Sequence, residues 1–142
     1  PALQKRIARS PMRERIRVFG YRRDAPRIVA ACDAAVLPSL RREGLPKTVI
    51  EAMAYGVAPV VTNVGGSPEL VEDGRSGRVV PPGDARALGA ALLELYERPD
   101  LRRGFGSAAR RRIAEEFSIE KTIEQTYELY RELTSDGRAG AG

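Results

Sequence analysis

Histidine and tryptophan are absent from this chain, and cysteine occurs once, at Cys32. Without histidine, neither a zinc site nor a histidine-based nucleophile system is expected, and a lone cysteine closes no internal disulfide. Chemistry must therefore use carboxylates, arginine, lysine and backbone amides. Lysine is scarce as well: Lys5, Lys47 and Lys121 are the only ones, so the 24 basic residues are overwhelmingly arginine. No run of about 18 apolar residues is present to span a bilayer. The opening stretch PALQKRIARSP has charge but no apolar signal-peptide core, so a cytoplasmic location is expected. There is no Asp-x-Asp pair for a divalent metal, and no G-x-G-x-x-G follows a strand, which argues against a dinucleotide-binding dehydrogenase.

The 142 residues that remain to be explained are 42% hydrophobic and 30% charged, ordinary values for one soluble domain with one core. The net charge of +5 and a pI near 9.8 would suit a polyanionic partner. The arginines, however, alternate with acids in RRDAPR, ERPDLRRG and AARRRIAEEF, and no aromatic residues interleave with them as stacking platforms. No nucleic-acid partner is expected.

RIRVFG (15–20), AAVLPS (34–39) and VAPVVTNVGG (57–66) read as buried strands ended by glycine, proline or turn residues. Helical pieces lie between them: DAPRIVAACD, with Asp24 as N-cap and Pro26 in the first turn, and PKTVIEAMAYG, with Gly56 as C-cap. This alternation predicts a parallel sheet. SPELVED then reads as a short helix capped by Ser67, and residues 77–80 as a brief strand. From Asp84 onward the chain is expected to be helical. Cys32, at the end of an apolar helix, reads as a small core residue. The count is about four strands, and the chain lacks the opening strand and glycine-rich turn with which a doubly wound fold usually begins, so the N-terminus reads as a cut partway into a fold. Residues 1–134 are taken as one domain and 135–142 as a flexible tail.

The candidate site lies in REGLPKTVIEAMAYG. A helix starting near Lys47 offers amides without intrahelical partners and the positive end of its dipole, a natural seat for phosphate. Gly44 lets a ligand approach the backbone, and Pro46 forfeits an amide that would have been unpaired anyway. Glu43 and Glu51 flank this seat. Carboxylates repel phosphate but accept from hydroxyls, which points to a ligand with sugars on both sides of a phosphate. Each glutamate also has a plain reading as a solvated helix-end charge, though Glu51, flanked by Val49, Ile50, Ala52 and Met53, calls for a partner. Lys47 reads equally as a phosphate contact or a solvated first-turn lysine.

The ordered set formed by the Glu-x7-Glu pair, EAMAYGVAPVV, GGSPELV and GRVVPPGD resembles the donor-binding, C-terminal domain of GT-B glycosyltransferases of family 4 (group 1). The resemblance covers nearly the whole chain. It implies an α/β fold, a Rossmann-like parallel sheet flanked by helices, truncated before its first strands and ending in a helical segment. It also implies a retaining transferase using a nucleotide-diphosphate sugar without a metal or other cofactor. By the resemblance, Glu43 is the catalytic carboxylate that binds donor-sugar hydroxyls and stabilises positive charge on the sugar. Glu51 would accept the ribose hydroxyls, backbone amides around Pro46, Lys47 and Thr48 would hold the diphosphate, Gly44 and Leu45 would also line the donor site, and Val18, Phe19 and Gly20 would edge the base. The glycine pair Gly65 and Gly66 would lie beside the cleft, though a simple strand-to-helix turn explains it equally well.

Two departures accompany the match. PSLRREG is one residue longer than the family's usual spacing, so the loop before Glu43 takes a different path and Arg41 or Arg42 can point into the cleft. The family's basic diphosphate clamp and its acceptor domain lie upstream, outside this chain. The chain alone is therefore expected to be inactive, with the sugar or lipid-linked acceptor held by the missing N-terminal domain and the full-length enzyme at most peripheral to the inner face of the membrane. Two other readings stand: a related GT-B sugar-nucleotide epimerase, and a non-catalytic binding or assembly module. The second draws on a stripe along the last helix, Ile119, Ile123, Tyr127, Tyr130 and Leu133, through which the chain could form a homodimer.

Overall fold

The computed structural model describes residues 2–136. In chain order its first elements are α1 (Ala2–Ala8), α2 (Ala25–Ala30), β1 (Ala34–Leu37), α3 (Lys47–Ala54) and β2 (Ala58–Thr62). After these come α4 (Ser67–Leu70), β3 (Arg78–Val80), α5 (Ala85–Glu97), α6 (Pro99–Glu116) and α7 (Ile119–Asp136).

β2 organises the rest. All five residues of its APVVT sequence are buried, as suits a parallel strand covered on both faces. β1 pairs with it in parallel, Ala34 opposite Ala58 and Leu37 opposite Val61. On the other side β3 is also parallel, with Val60 opposite Arg78, giving the order β1-β2-β3. Parallel neighbours need crossovers, which α3 and α4 provide.

Successive strand residues face opposite ways. Val61 therefore packs with Val49, Met53, Leu70, Val71, Ala109 and Ile113, while Val60 packs with Ala58, Val80, Ala91, Leu95 and Phe105. Helix α6 contributes to both clusters. It comes this close because of Gly106: a Cβ there would overlap the carbonyl oxygen of Gly56 in the turn between α3 and β2. Arg112 fastens α6 to α4, its Nε donating to Leu70 O at 2.9 Å and Nη2 to Glu69 O at 2.9 Å. Its Nη1 reaches the carboxylates of Glu72 and Glu116 at 2.9 and 2.8 Å.

The expected strand at 15–20 does not form. Arg13–Arg15 make a 3-10 turn, and Val18 and Phe19 beyond it are 59% and 58% exposed. A strand persists only if its amides and carbonyls are paired. Among the described residues no strand lies beside this segment, and the sheet has three strands rather than about four. α2 is also shorter than expected and buries no residue. Asp24 stands at its N-cap position without capping, because its carboxylate accepts from Arg22 at 2.8 and 2.7 Å instead. Cys32 falls beyond that helix and is exposed rather than in the core, its Sγ donating to Ile28 O at 3.2 Å.

Ser67 is not a cap. Gly66 takes that position, and Ser67 is buried in the first turn of an α4 that ends at Leu70, since Val71 is already extended. Asp84 does cap α5, accepting from the Ala87 amide at 2.9 Å, and Gly56 follows α3 in a left-handed conformation (φ +73°) as expected. Of the expected tail, positions 135 and 136 belong to α7, and 137–142 lie outside the described residues. No helix among the described residues is long and apolar enough to cross a membrane.

Candidate functional site

Parallel strands end on one edge of the sheet, and in α/β proteins ligands bind outside those carboxyl ends. The loop after β1, residues 38–46, and the turn after β2, residues 63–66, both leave from that edge and meet at Glu43. The Glu43 side chain is exposed and accepts a hydrogen bond at Oε1 from Ser39 Oγ, 2.8 Å away. Thr62, buried at the end of β2, donates its hydroxyl to Ser39 O at 2.7 Å, with Leu37 O at 3.4 Å. The Gly66 amide donates to Glu43 O at 3.2 Å. Gly65 holds φ +54°, which L side chains rarely adopt, and a Cβ there would overlap Glu43 O. The glycine pair is thus more than a strand-to-helix turn: the loop bearing Glu43 rests on it.

The loop runs straight into α3. Pro46 is buried at the N-cap position, and its carbonyl accepts from Val49 and Ile50 amides at 3.0 and 3.2 Å. The amides of Lys47 and Thr48 fall in the first turn, where no intrahelical acceptor exists and the dipole is positive. Gly44, Leu45, Lys47 and Thr48 are all exposed here, and a Cβ on Gly44 would meet nothing within 4 Å, so a ligand can reach this backbone. Glu51 lies one turn further along α3 with its side chain 30% exposed, and Lys47 Nζ stands 3.6 Å from its Oε1. The partner that the apolar flank of Glu51 calls for is therefore Lys47, itself 87% exposed and able to turn toward a ligand.

Glu43, Glu51 and residues 44–48 are accordingly gathered in one continuous turn. Val18, Phe19 and Gly20 are not tied to it: among the described residues no hydrogen bond joins them to that turn. Ser39 and Thr62 escaped the sequence reading. Ser39 stands four residues before Glu43, a spacing that was visible, whereas the Thr62 contact spans 23 residues and was not.

A cavity of about 340 Å³ opens at the carboxyl ends of the strands, between Pro38, Thr62 and Pro81, with Arg6 and Leu88 on its wall. A second, of about 300 Å³, lies away from this edge, where Arg111 and Arg112 of α6 face Glu72 and Arg75. Among the described residues no group of three His, Cys, Asp or Glu side chains could hold a metal ion. A two-pronged, partly buried charge pair also lies elsewhere: Arg78 donates to both oxygens of Glu94 at 2.8 and 2.7 Å. Those bonds hold the Glu94 carboxyl below its ordinary range and raise the Arg78 guanidinium.

A three-stranded parallel sheet flanked by helices, with an open helix start and two glutamates at its carboxyl edge, defines a Rossmann-like α/β domain. The family model of glycosyl transferases group 1 matches residues 1–98. The alpha-maltose-1-phosphate synthase of Mycolicibacterium smegmatis is 41% identical over 114 residues, covering 76% of this chain and 29% of that protein. Crystal structures of Anabaena Alr3699/HepE with UDP and with UDP-glucose superpose with TM-scores of 0.87 and 0.85 at 27% identity, covering 92% of this chain and 36% of theirs. A C-terminal domain of a glycosyl transferase group 1 family protein from Francisella tularensis shares the fold, with a TM-score of 0.73 at 22% identity over 83% of this chain and 62% of that one. The chain belongs to the group 1 glycosyl transferases and has the fold of their GT-B C-terminal domain. It spans about a third of the length of the relatives first matched.

Proposed function

We propose that this chain is the donor-binding part of a retaining, family 4 glycosyltransferase that moves a sugar from a nucleotide-diphosphate sugar to an acceptor. The observation that carries the reading is the single turn at the carboxyl edge of the sheet, where Glu43 and Glu51 flank the open start of α3. Anabaena Alr3699/HepE, of like fold, is solved with UDP and UDP-glucose, which supports a nucleotide sugar as the ligand class. Glu43 accepts from donor-sugar hydroxyls and stabilises positive charge as the glycosidic bond breaks. Glu51 exchanges Lys47 for the ribose hydroxyls, and the Lys47 and Thr48 amides receive the diphosphate. The leaving group's charge is met by oriented amides and basic side chains in place of a metal. Residues 1–134 act as one unit that upstream strands complete, the exposed segment at Val18–Gly20 then edging the base.

The remainder of the enzyme, in this reading, supplies the diphosphate clamp and the sugar or lipid-linked acceptor site, works in the cytoplasm or against the inner membrane face, and is required for turnover. Calorimetric titration of UDP, GDP and ADP, with and without their sugars, tests the donor site. One nucleotide should bind, and Glu51→Gln should weaken it by about tenfold. Silence from all three nucleotides, repeated on a longer chain carrying the upstream strands, would overturn the reading.

A second reading concerns assembly. Ile119, Ile123, Tyr127, Tyr130 and Leu133 of α7 are all more than 60% exposed, and we infer that two copies of this chain associate through them. Light scattering at high concentration should give a dimer; a strict monomer removes the idea.

A further inference from the structure

We propose that Ser39 and Thr62 are positioning residues that hold the Glu43 carboxylate at the donor sugar, a role that rests on the reading of Glu43 given above. Glu43 is an exposed side chain on a loop outside any helix or strand, so nothing in its own secondary structure fixes its rotamer. Its position comes from β2. Thr62, 3% exposed at the last position of that strand, donates to Ser39 O at 2.7 Å and so pins the first turn of the loop to the sheet. Ser39 Oγ passes the constraint on, donating to Glu43 Oε1 at 2.8 Å. From the opposite side the Gly66 amide holds the Glu43 carbonyl at 3.2 Å, and Gly65 leaves no room for the backbone to shift toward it.

This arrangement divides the labour of the carboxylate. An ionised carboxylate has about four acceptor positions on two oxygens. Ser39 occupies one on Oε1, which restrains the rotamer of the side chain and leaves Oε2 for a sugar hydroxyl. Two Arg residues, Arg41 and Arg42, separate Leu40 from Glu43 in this loop, and both are exposed. Without the Ser39 bond either guanidinium could draw the carboxylate outward into solvent. The Ser39 bond therefore sets sugar affinity and leaves nucleotide affinity alone, since the diphosphate and ribose contacts belong to α3.

Calorimetry on Ser39→Ala, Ser39→Thr, Thr62→Val and Glu43→Gln, using UDP with UDP-glucose, GDP with GDP-mannose and ADP with ADP-glucose, reads this directly. Ser39→Ala should weaken the nucleotide sugar by about threefold to tenfold, with the bare nucleotide within about twofold of its original affinity. Ser39→Thr should restore the sugar, and Thr62→Val should mimic Ser39→Ala. Equal losses for sugar and nucleotide, or no change in their ratio, would overturn the positioning role. A ratio insensitive to Glu43→Gln would instead sink the assignment of Glu43, and the positioning role with it. Should the unsubstituted chain bind none of the ligands, backbone ¹⁵N order parameters over 39–45 decide: a fall confined to that loop in Ser39→Ala and Thr62→Val supports the constraint, and unchanged values overturn it.

Discussion

α6 and α7 are each 18 residues long, and by pattern α7 is the better amphipathic helix. Its apolar residues repeat along one face, whereas α6 interrupts its own with Gly104, Gly106 and the run Arg110–Arg112. Yet α6 buries Phe105, Gly106, Ala109 and Ile113, and every described side chain of α7 is exposed. A stripe states what a helix can cover, not that anything is there to be covered. α6 reaches the core because small residues let its backbone lie against the α3–β2 turn, and because Arg112 satisfies carbonyls at the end of α4 that would otherwise lack partners.

Four measurements sharpen or break that contrast. Phe105→Ala should cost about 3–5 kcal/mol in denaturant unfolding, since the ring is 3% exposed and lies beneath Arg78, 5.4 Å from its centroid. A loss near that of an ordinary surface change would mean α6 does not close the core. Gly106→Ala should destabilise by about 1–3 kcal/mol, through overlap with Gly56 O, although the same change at exposed Gly104 should stabilise by about 0.5–1 kcal/mol. Equal signs at the two positions would contradict the close contact.

A smaller effect is expected from acid. Because Arg78 lowers the Glu94 carboxyl in the fold, the pair's stabilisation is complete above the ordinary glutamate value of 4.5 and is lost as pH falls through the depressed folded value. In urea unfolding from pH 7 to pH 3, Glu94→Gln should remove a component of about 1 kcal/mol or less from the acid loss of the unsubstituted chain, the other carboxylate pairs supplying the rest. An unchanged pH profile in that variant would remove the pair from the account. Least of all, Tyr127→Ser should change monomer stability by under about 0.5 kcal/mol, while weakening any dimer seen by light scattering. A cost comparable to Phe105→Ala would show that α7 is packed within its own chain.

What the sequence disclosed follows the range of the interactions concerned. The run VAPVV announces a buried strand because it is apolar and rich in β-branched residues, and Gly56 announces the end of α3 because glycine itself favours the left-handed conformation found there. IRVFG carries an equally good strand pattern, but a strand is made by its neighbour, and among the described residues it has none. Ser67 and Asp24 look like caps, yet a distant partner, Glu43 O for the Gly66 amide, and a nearby competitor, Arg22, decided otherwise. At the site, the turn from Glu43 to Glu51 was legible since it is one short segment. Thr62 was not, because only folding brings the end of β2 beside the loop that leaves β1.

The dependence of both core clusters on α6 also sets the order in which the chain can become safe during its own synthesis. β2 leaves the ribosome well before Phe105, Ala109 and Ile113, the α6 residues that complete the cover which α3, α4 and α5 begin on its two faces. At about 5–20 residues per second, that leaves the APVVT segment incompletely covered for on the order of a few seconds. The nascent chain is most exposed to aggregation and to chaperone capture in that interval, and release comes when α6 arrives.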